Sequence, residues 1–181
     1  MVLSEGGVDL FMLETIFDTL NAKAVLMAAR RVKERTGRRI PIMLSVTIAD
    51  ASGRTLSGQT LDAFLASVQH DEDIFSVGLN CSFGARQMKP FLKELARKAP
   101  WLVSAYPNAG LPNSLGQYDE TPETMAPQIA EFIDEGLVNI VGGCCGTTEK
   151  FIEKYVPLVA GKKPRVPLPK PSTMWLSGLE L

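Results

Sequence analysis

One pattern recurs along the chain and limits its fold more than any other feature. A short apolar run is followed by a loop and an amphipathic helix, and the unit repeats about every 30 residues. The apolar runs are Val8–Leu13, Ile40–Ile48, Ile74–Asn80, Leu102–Tyr106 and Val138–Val141. They are apolar throughout rather than strictly alternating, as expected of parallel strands covered on both faces. The spacing between them predicts helices. Asn21 is placed to cap Ala22–Thr36, and Thr60 to cap Leu61–His70. Residues 85–99 line up Met88, Phe91, Leu92, Leu95, Ala96 and Ala99 on one helical face. Thr121-Pro122-Glu123 opens a helix that stops at Gly136, and Thr147 or Thr148 opens a last one through about Val156.

Strands alternating with helices make βαβ units and a parallel sheet, so the fold class is α/β. Pattern alone leaves an eight-stranded (β/α)8 barrel and a doubly wound open sheet as alternatives. A complete barrel takes about 250 residues, and the five units here span about 150. The barrel reading therefore implies a chain truncated to about the last five βα units, a half-barrel. Five strands leave two open edges, which predicts association with another chain. Residues 1–160 form this unit. From Gly161 to Leu181 the chain carries Pro164, Pro167, Pro169 and Pro171 with little periodicity and reads as an extended linker.

Charge and hydropathy exclude several function classes. Lys plus Arg is 19 against 20 for Asp plus Glu, a formal net charge of −1, which gives no electrostatic case for nucleic acid or an anionic membrane. No apolar run reaches the roughly 18 residues of a membrane helix. The opening MVLSEGGVDLFML lacks the basic start and cleavage site of a secretory signal, so a cytoplasmic location is expected. The three cysteines, Cys81, Cys144 and Cys145, are an odd set, with two adjacent in sequence, and do not make a disulfide framework.

In parallel α/β architectures ligands bind at the C-terminal ends of the strands, and the chemically distinctive residues collect there. Glu14 ends the first strand, Asn80 and Cys81 the third, Tyr106-Pro107-Asn108 the fourth, and Gly142-Gly143-Cys144-Cys145 the fifth. All three thiols thus share one rim. Two readings stand: a zinc site, or three incidental buried cysteines. Three protein ligands with a free fourth position is the catalytic zinc pattern. An electron-rich trithiolate suits binding a substrate thiol better than activating water. Glu14 is a candidate for the ammonium of an amino-acid substrate or a plain surface acid. Asn108 is a turn residue or a neutral oxygen donor to the metal. Asp18 and Asp50 read as capping or turn residues, and His70, beside Asp71, as a surface residue. Ser52–Gly58 lacks the Gly-Lys-Ser/Thr ending of a phosphate loop.

Three segments resemble successive motifs of homocysteine S-methyltransferase domains: Asp9–Thr15, Gly78-Leu79-Asn80-Cys81 and Gly142–Thr147. Thr47–Gly58 and Tyr106–Pro112 are similar to the cobalamin-dependent methionine synthase branch. Leu176-Ser177-Gly178-Leu179-Glu180 resembles the segment that joins its homocysteine barrel to a methyltetrahydrofolate-binding barrel. The resemblance implies a TIM-barrel fold, with Cys81, Cys144 and Cys145 as zinc ligands and catalytic residues. It implies Glu14 and Asn80 in the homocysteine pocket, and Asn108 as a displaceable zinc ligand. It further implies transfer of a methyl group from methylcobalamin to homocysteine. Cobalamin and methyltetrahydrofolate would be bound by other modules of a parent enzyme. A betaine- or S-methylmethionine-dependent relative and an inactive zinc-binding fragment are the alternatives.

Overall fold

The computed structural model describes residues 1–181. In chain order the elements are α1 (Val2–Glu5), β1 (Phe11–Ile16), α2 (Thr19–Thr36), β2 (Ile42–Val46), α3 (Leu61–Val68) and β3 (Ile74–Gly84). They continue with α4 (Ala85–Ala96), β4 (Leu102–Asn108), α5 (Pro122–Asp134), β5 (Ile140–Val141) and α6 (Glu149–Val159). The strands form one sheet in the order β1-β2-β3-β4-β5, every neighbouring pair parallel. This is the α/β alternation expected, and it is consistent with a partial TIM barrel. No helix is long and apolar enough to cross a membrane.

The two faces of the sheet differ more than the sequence suggested. Ile42, Leu44 and Val46 of β2, Val77 and Leu79 of β3, and Val103 and Ala105 of β4 are buried against the helices. The alternate positions belong to the other face. There Ser45, Ser76, Asn80 and Ser104 are buried polar residues outside that core. The central strands are covered on both faces as expected, but the second face is mixed, with Ser45, Ser76, Asn80 and Ser104 beside Met43 and Tyr106.

Element boundaries shift where a side chain takes over a backbone bond. β1 starts at Phe11 rather than Val8, because the Val8 carbonyl accepts from Arg38 (3.2 Å) instead of joining a ladder. β5 is cut to Ile140–Val141, because the Asn139 side chain accepts the Val103 N–H at 2.9 Å. Asp18, not Asn21, caps α2, accepting from the Leu20 N–H at 2.9 Å. Thr60 caps α3 as expected. Thr121 caps α5 in a capping box with Thr124, which contributes on the order of 1 kcal/mol. Thr148 is the N-cap residue of α6, which runs on to Val159.

The tail from Gly161 holds no helix or strand, yet it is pinned along the molecule. Arg165 is 7% exposed and donates to the carbonyls of Ala96 (2.8 Å), Ala99 (2.6 Å) and Trp101 (2.8 Å), closing the C-terminal end of α4. Farther along, Ser177 bonds Ser67 on α3, the Leu179 carbonyl accepts from the Thr60 N–H, and Glu180 pairs with Arg54. At the opposite end of the sheet β1 has no outer neighbour. Beside it lies an apolar groove of about 580 Å³, lined from Met1 and Leu3 through Leu10 and Met12 to Val25.

Candidate metal centre

Cys81 reaches the rim through backbone bent away from its default, and Cys144 and Cys145 through a turn flanked by glycines. Cys81 follows Asn80 on β3, and in a regular strand it would face the helices as Leu79 does. Instead Cys81 and Ser82 both adopt φ 61°. The pairing with β4 jumps from Asn80↔Tyr106 to Gly84↔Asn108, so β3 spends two more residues than its partner. This bulge carries the Cys81 sulfur to within 3.8 Å of that of Cys145.

Cys144 and Cys145 sit in the turn after β5. Gly143 is required there because a Cβ would lie 2.3 Å from the Thr147 hydroxyl. Gly146 is required because φ is +77° and a Cβ would meet Tyr118 at 2.5 Å. The turn is stitched to the end of β4. The Cys144 N–H donates to the Pro107 carbonyl at 2.9 Å, and the Ala109 N–H to the Cys145 carbonyl at 2.9 Å. The Cys145 N–H donates to Asn108 Oδ1 at 3.1 Å, and the Thr147 hydroxyl to the Cys144 carbonyl at 2.7 Å.

The three sulfurs lie within 4.8 Å of one another, with Cys144 and Cys145 3.9 Å apart. Zinc–thiolate bonds of about 2.3 Å at a tetrahedral angle place sulfurs about 3.8 Å apart. The donor set therefore fits zinc: three soft thiols at the right separation, with room for one more ligand. Their electrostatics favour a cation as well. Partial burial opposes ionisation of Cys81. The Ser82 N–H and bonds from Cys145, Asn108 and Cys144 outweigh it, and that thiol sits below its ordinary value. Burial, then the neighbouring Cys81 and Cys145 charges, push Cys144 up to about 11. A divalent ion removes that conflict by neutralising the mutual repulsion.

The surrounding residues divide into those the rim gathers and those it does not. Glu14 projects from β1, exposed and outside every ion pair of the chain. Burial raises the Tyr106 phenol, and the Glu14 carboxylate facing it raises it further. Asn80 is 1% exposed and braced by Thr15 and Ser45. Asn108 is 3% exposed. Its oxygen accepts from the Cys145 N–H at 3.1 Å. Its amide meets the Cys81 thiol.

Asp18 and Asp50 stay out of the site. Asp18 caps α2, and Asp50 accepts from the Ser52 N–H in the following turn. His70 lies ahead of β3, at the far end of the sheet, in a cleft with Arg30, Glu34 and Asp71. Ser52–Gly58 forms a turn closed by the Arg54↔Thr60 bridge.

Two residues at the rim were not singled out in the sequence. Tyr118 packs on Gly146, and its hydrogen bond to Cys145, with some burial, raises its phenol. Thr15 bonds Asn80 from β1. Neither stands next to a cysteine in sequence: Thr15 comes in from β1 and Tyr118 from the loop between β4 and α5. A family model described as homocysteine S-methyltransferase matches residues 1–158, a span that takes in every strand and all three thiols.

Proposed function

Since the chain belongs to the homocysteine S-methyltransferase family, we propose that residues 1–160 hold zinc through Cys81, Cys144 and Cys145 and present the thiol of homocysteine for methylation to methionine. The observation that carries this reading is the sulfur triangle, whose 3.8 and 3.9 Å edges suit one tetrahedral zinc with a fourth position for substrate. Zinc bound there supplies a Lewis acid that keeps a substrate thiol ionised near neutral pH.

The protein's own residues do the rest. Glu14 is free to receive the substrate ammonium at the mouth. Asn80 forms the floor between Glu14 and the thiols. Asn108 aligns Cys145 through its N–H and offers its amide to Cys81, and it is a candidate to exchange contacts when substrate arrives.

The methyl donor is read from the similarity of Thr47–Gly58, Tyr106–Pro112 and Leu176–Glu180 to the cobalamin-dependent branch. In that reading the donor is methylcobalamin, recharged from methyltetrahydrofolate, both carried by partner modules to which residues 161–181 lead. The open β1 edge favours a second reading, a zinc-binding piece that is inactive until its barrel is completed. It also supports self-association through that edge. Sedimentation over rising concentration should then give a mass climbing above the monomer, and a fixed monomer would contradict it.

Activity separates the readings. Zinc-loaded chain, homocysteine and methylcobalamin, betaine or S-methylmethionine are incubated anaerobically, and methionine is quantified by mass spectrometry. Methionine from methylcobalamin alone, absent with Cys145→Ala, is the expected result. Methionine from betaine or S-methylmethionine overturns the donor assignment. None from any donor by a zinc-loaded chain identifies the inactive piece.

A further inference from the structure

Two β-bulges face each other at the rim, and one side chain joins them. The first lies in β1, where the pairing with β2 passes from Leu13↔Leu44 to Ile16↔Val46, one residue more on β1 than on β2. The extra residue is Thr15, at φ 59°. It lets Leu13 and Ile16 both pack against the core, while Glu14 and Thr15 are left on the rim side. The second is the Cys81–Ser82 bulge of β3. Thr15, Cys81 and Ser82 are the only non-glycine residues of the chain with positive φ. For a β-branched residue such as Thr15 that region is strongly disfavoured, so something must hold it.

Asn80 is the holder. Its Oδ1 accepts the Thr15 N–H at 3.2 Å, and its Nδ2 donates to the Thr15 hydroxyl at 3.0 Å. Two bonds thus fasten both the backbone and the side chain of the strained residue. The Ser45 hydroxyl donates to the same Oδ1 at 2.7 Å from β2, which lies between the two bulged strands. The Thr47 hydroxyl reaches the Asn80 carbonyl at 3.3 Å. Asn80 is next in sequence to Cys81, and Thr15 is next to Glu14.

Resting on the zinc reading above, we infer that Asn80 is a positioning residue that locks the two bulges together, and that Thr15 is its counterpart. One side chain then sets the distance between the carboxylate that receives the amino-acid end and the thiol that binds the metal. Thr15 therefore influences the metal although it sits on a different strand from every ligand.

The test is a cobalt(II) titration under reducing conditions, read by the thiolate-to-cobalt charge-transfer absorbance, with the thermal melt of the metal-free protein alongside. Thr15→Val removes the hydroxyl at constant shape. It is expected to weaken cobalt binding roughly tenfold or more, the usual scale for losing an outer-sphere partner of a metal site. Thr15→Ser, which keeps the hydroxyl, should bind like the parent. Thr15→Gly removes the hydroxyl and relieves the backbone, so it settles the question should the valine variant fail to fold. Val and Gly variants that fold and hold cobalt as the parent does would overturn the inference while leaving the metal site intact. A parent chain that takes up no cobalt would overturn the metal reading and the inference with it.

Discussion

Cys144 shows at the scale of one residue why the site asks for a cation. Burial, together with the two neighbouring thiols, holds its proton on to about pH 11. Metal binding must displace that proton, so affinity falls as pH falls. Each pH unit below that value costs about tenfold for every proton that has to leave. A chelator competition between about pH 6.5 and 8.5 should show at least this slope, and a pH-independent affinity would contradict it. Glu14 makes a separate prediction. Glu14→Gln should leave metal content unchanged and weaken homocysteine binding roughly tenfold, the scale of one charge-assisted hydrogen bond, as read by calorimetry on zinc-loaded protein. The cysteines were legible in the sequence because strand ends mark the rim and the thiols fall on them. Thr15 was not, because a bulge exists only relative to the strand beside it, and the β1–β2 register is written in neither strand alone. The bond that the Asn108 oxygen accepts was not legible for the same reason: its donor, the Cys145 N–H, comes from a loop 37 residues away.

Among the elements, the alternation of strand and helix was legible, as were the starts of α3, β3, β4 and α5, whereas the starts of β1, β2 and β5 were not. Periodicity reports which face is buried, while Arg38 and Asn139 make strands start late by taking backbone bonds across large sequence distances. The polar residues of the inner face were not legible because Ser and Gly interrupt apolar runs without making them look polar. Asp73, just before β3, shows how an element is set in place. It joins Lys33 of α2 at 2.8 Å and Arg39 at 2.5 Å. Partial burial opposes its ionisation, but these two cations outweigh it and hold the carboxyl below its ordinary value. A depressed folded-state value stabilises above the unfolded one, and that contribution is lost as pH falls through the folded value. Asp73→Asn should therefore cost about 1 kcal/mol near neutrality, as partly exposed pairs do. The gap between variant and parent in urea denaturation should close as the pH drops below about 4. A gap that persists in acid would contradict the assignment.

Across the whole molecule, the barrel-like sheet is held as much by its tail as by its core. The proline-rich segment reads as a linker, and its composition does give an extended chain without helix or strand. What composition does not carry is the anchorage: a buried Arg165 on three carbonyls, and contacts running up α3 to the loop at Arg54. Arg165→Ala removes the donor to the Ala96 carbonyl at the end of α4 and to the Ala99 and Trp101 carbonyls beyond it, and should destabilise the fold by about 2–3 kcal/mol. Residues 166–181 should then become rapidly exchanging in hydrogen–deuterium exchange, and unchanged protection there would show that the tail is held by other means. The central claim remains the zinc trithiolate, and elemental analysis of protein purified under reducing conditions tests it most directly, with Cys81→Ala and Cys145→Ala measured beside the parent. The account predicts about one zinc per chain, the single ion that three thiolates and an open position hold, and its loss in either variant. A parent chain without zinc, even after the metal is added back, would contradict it.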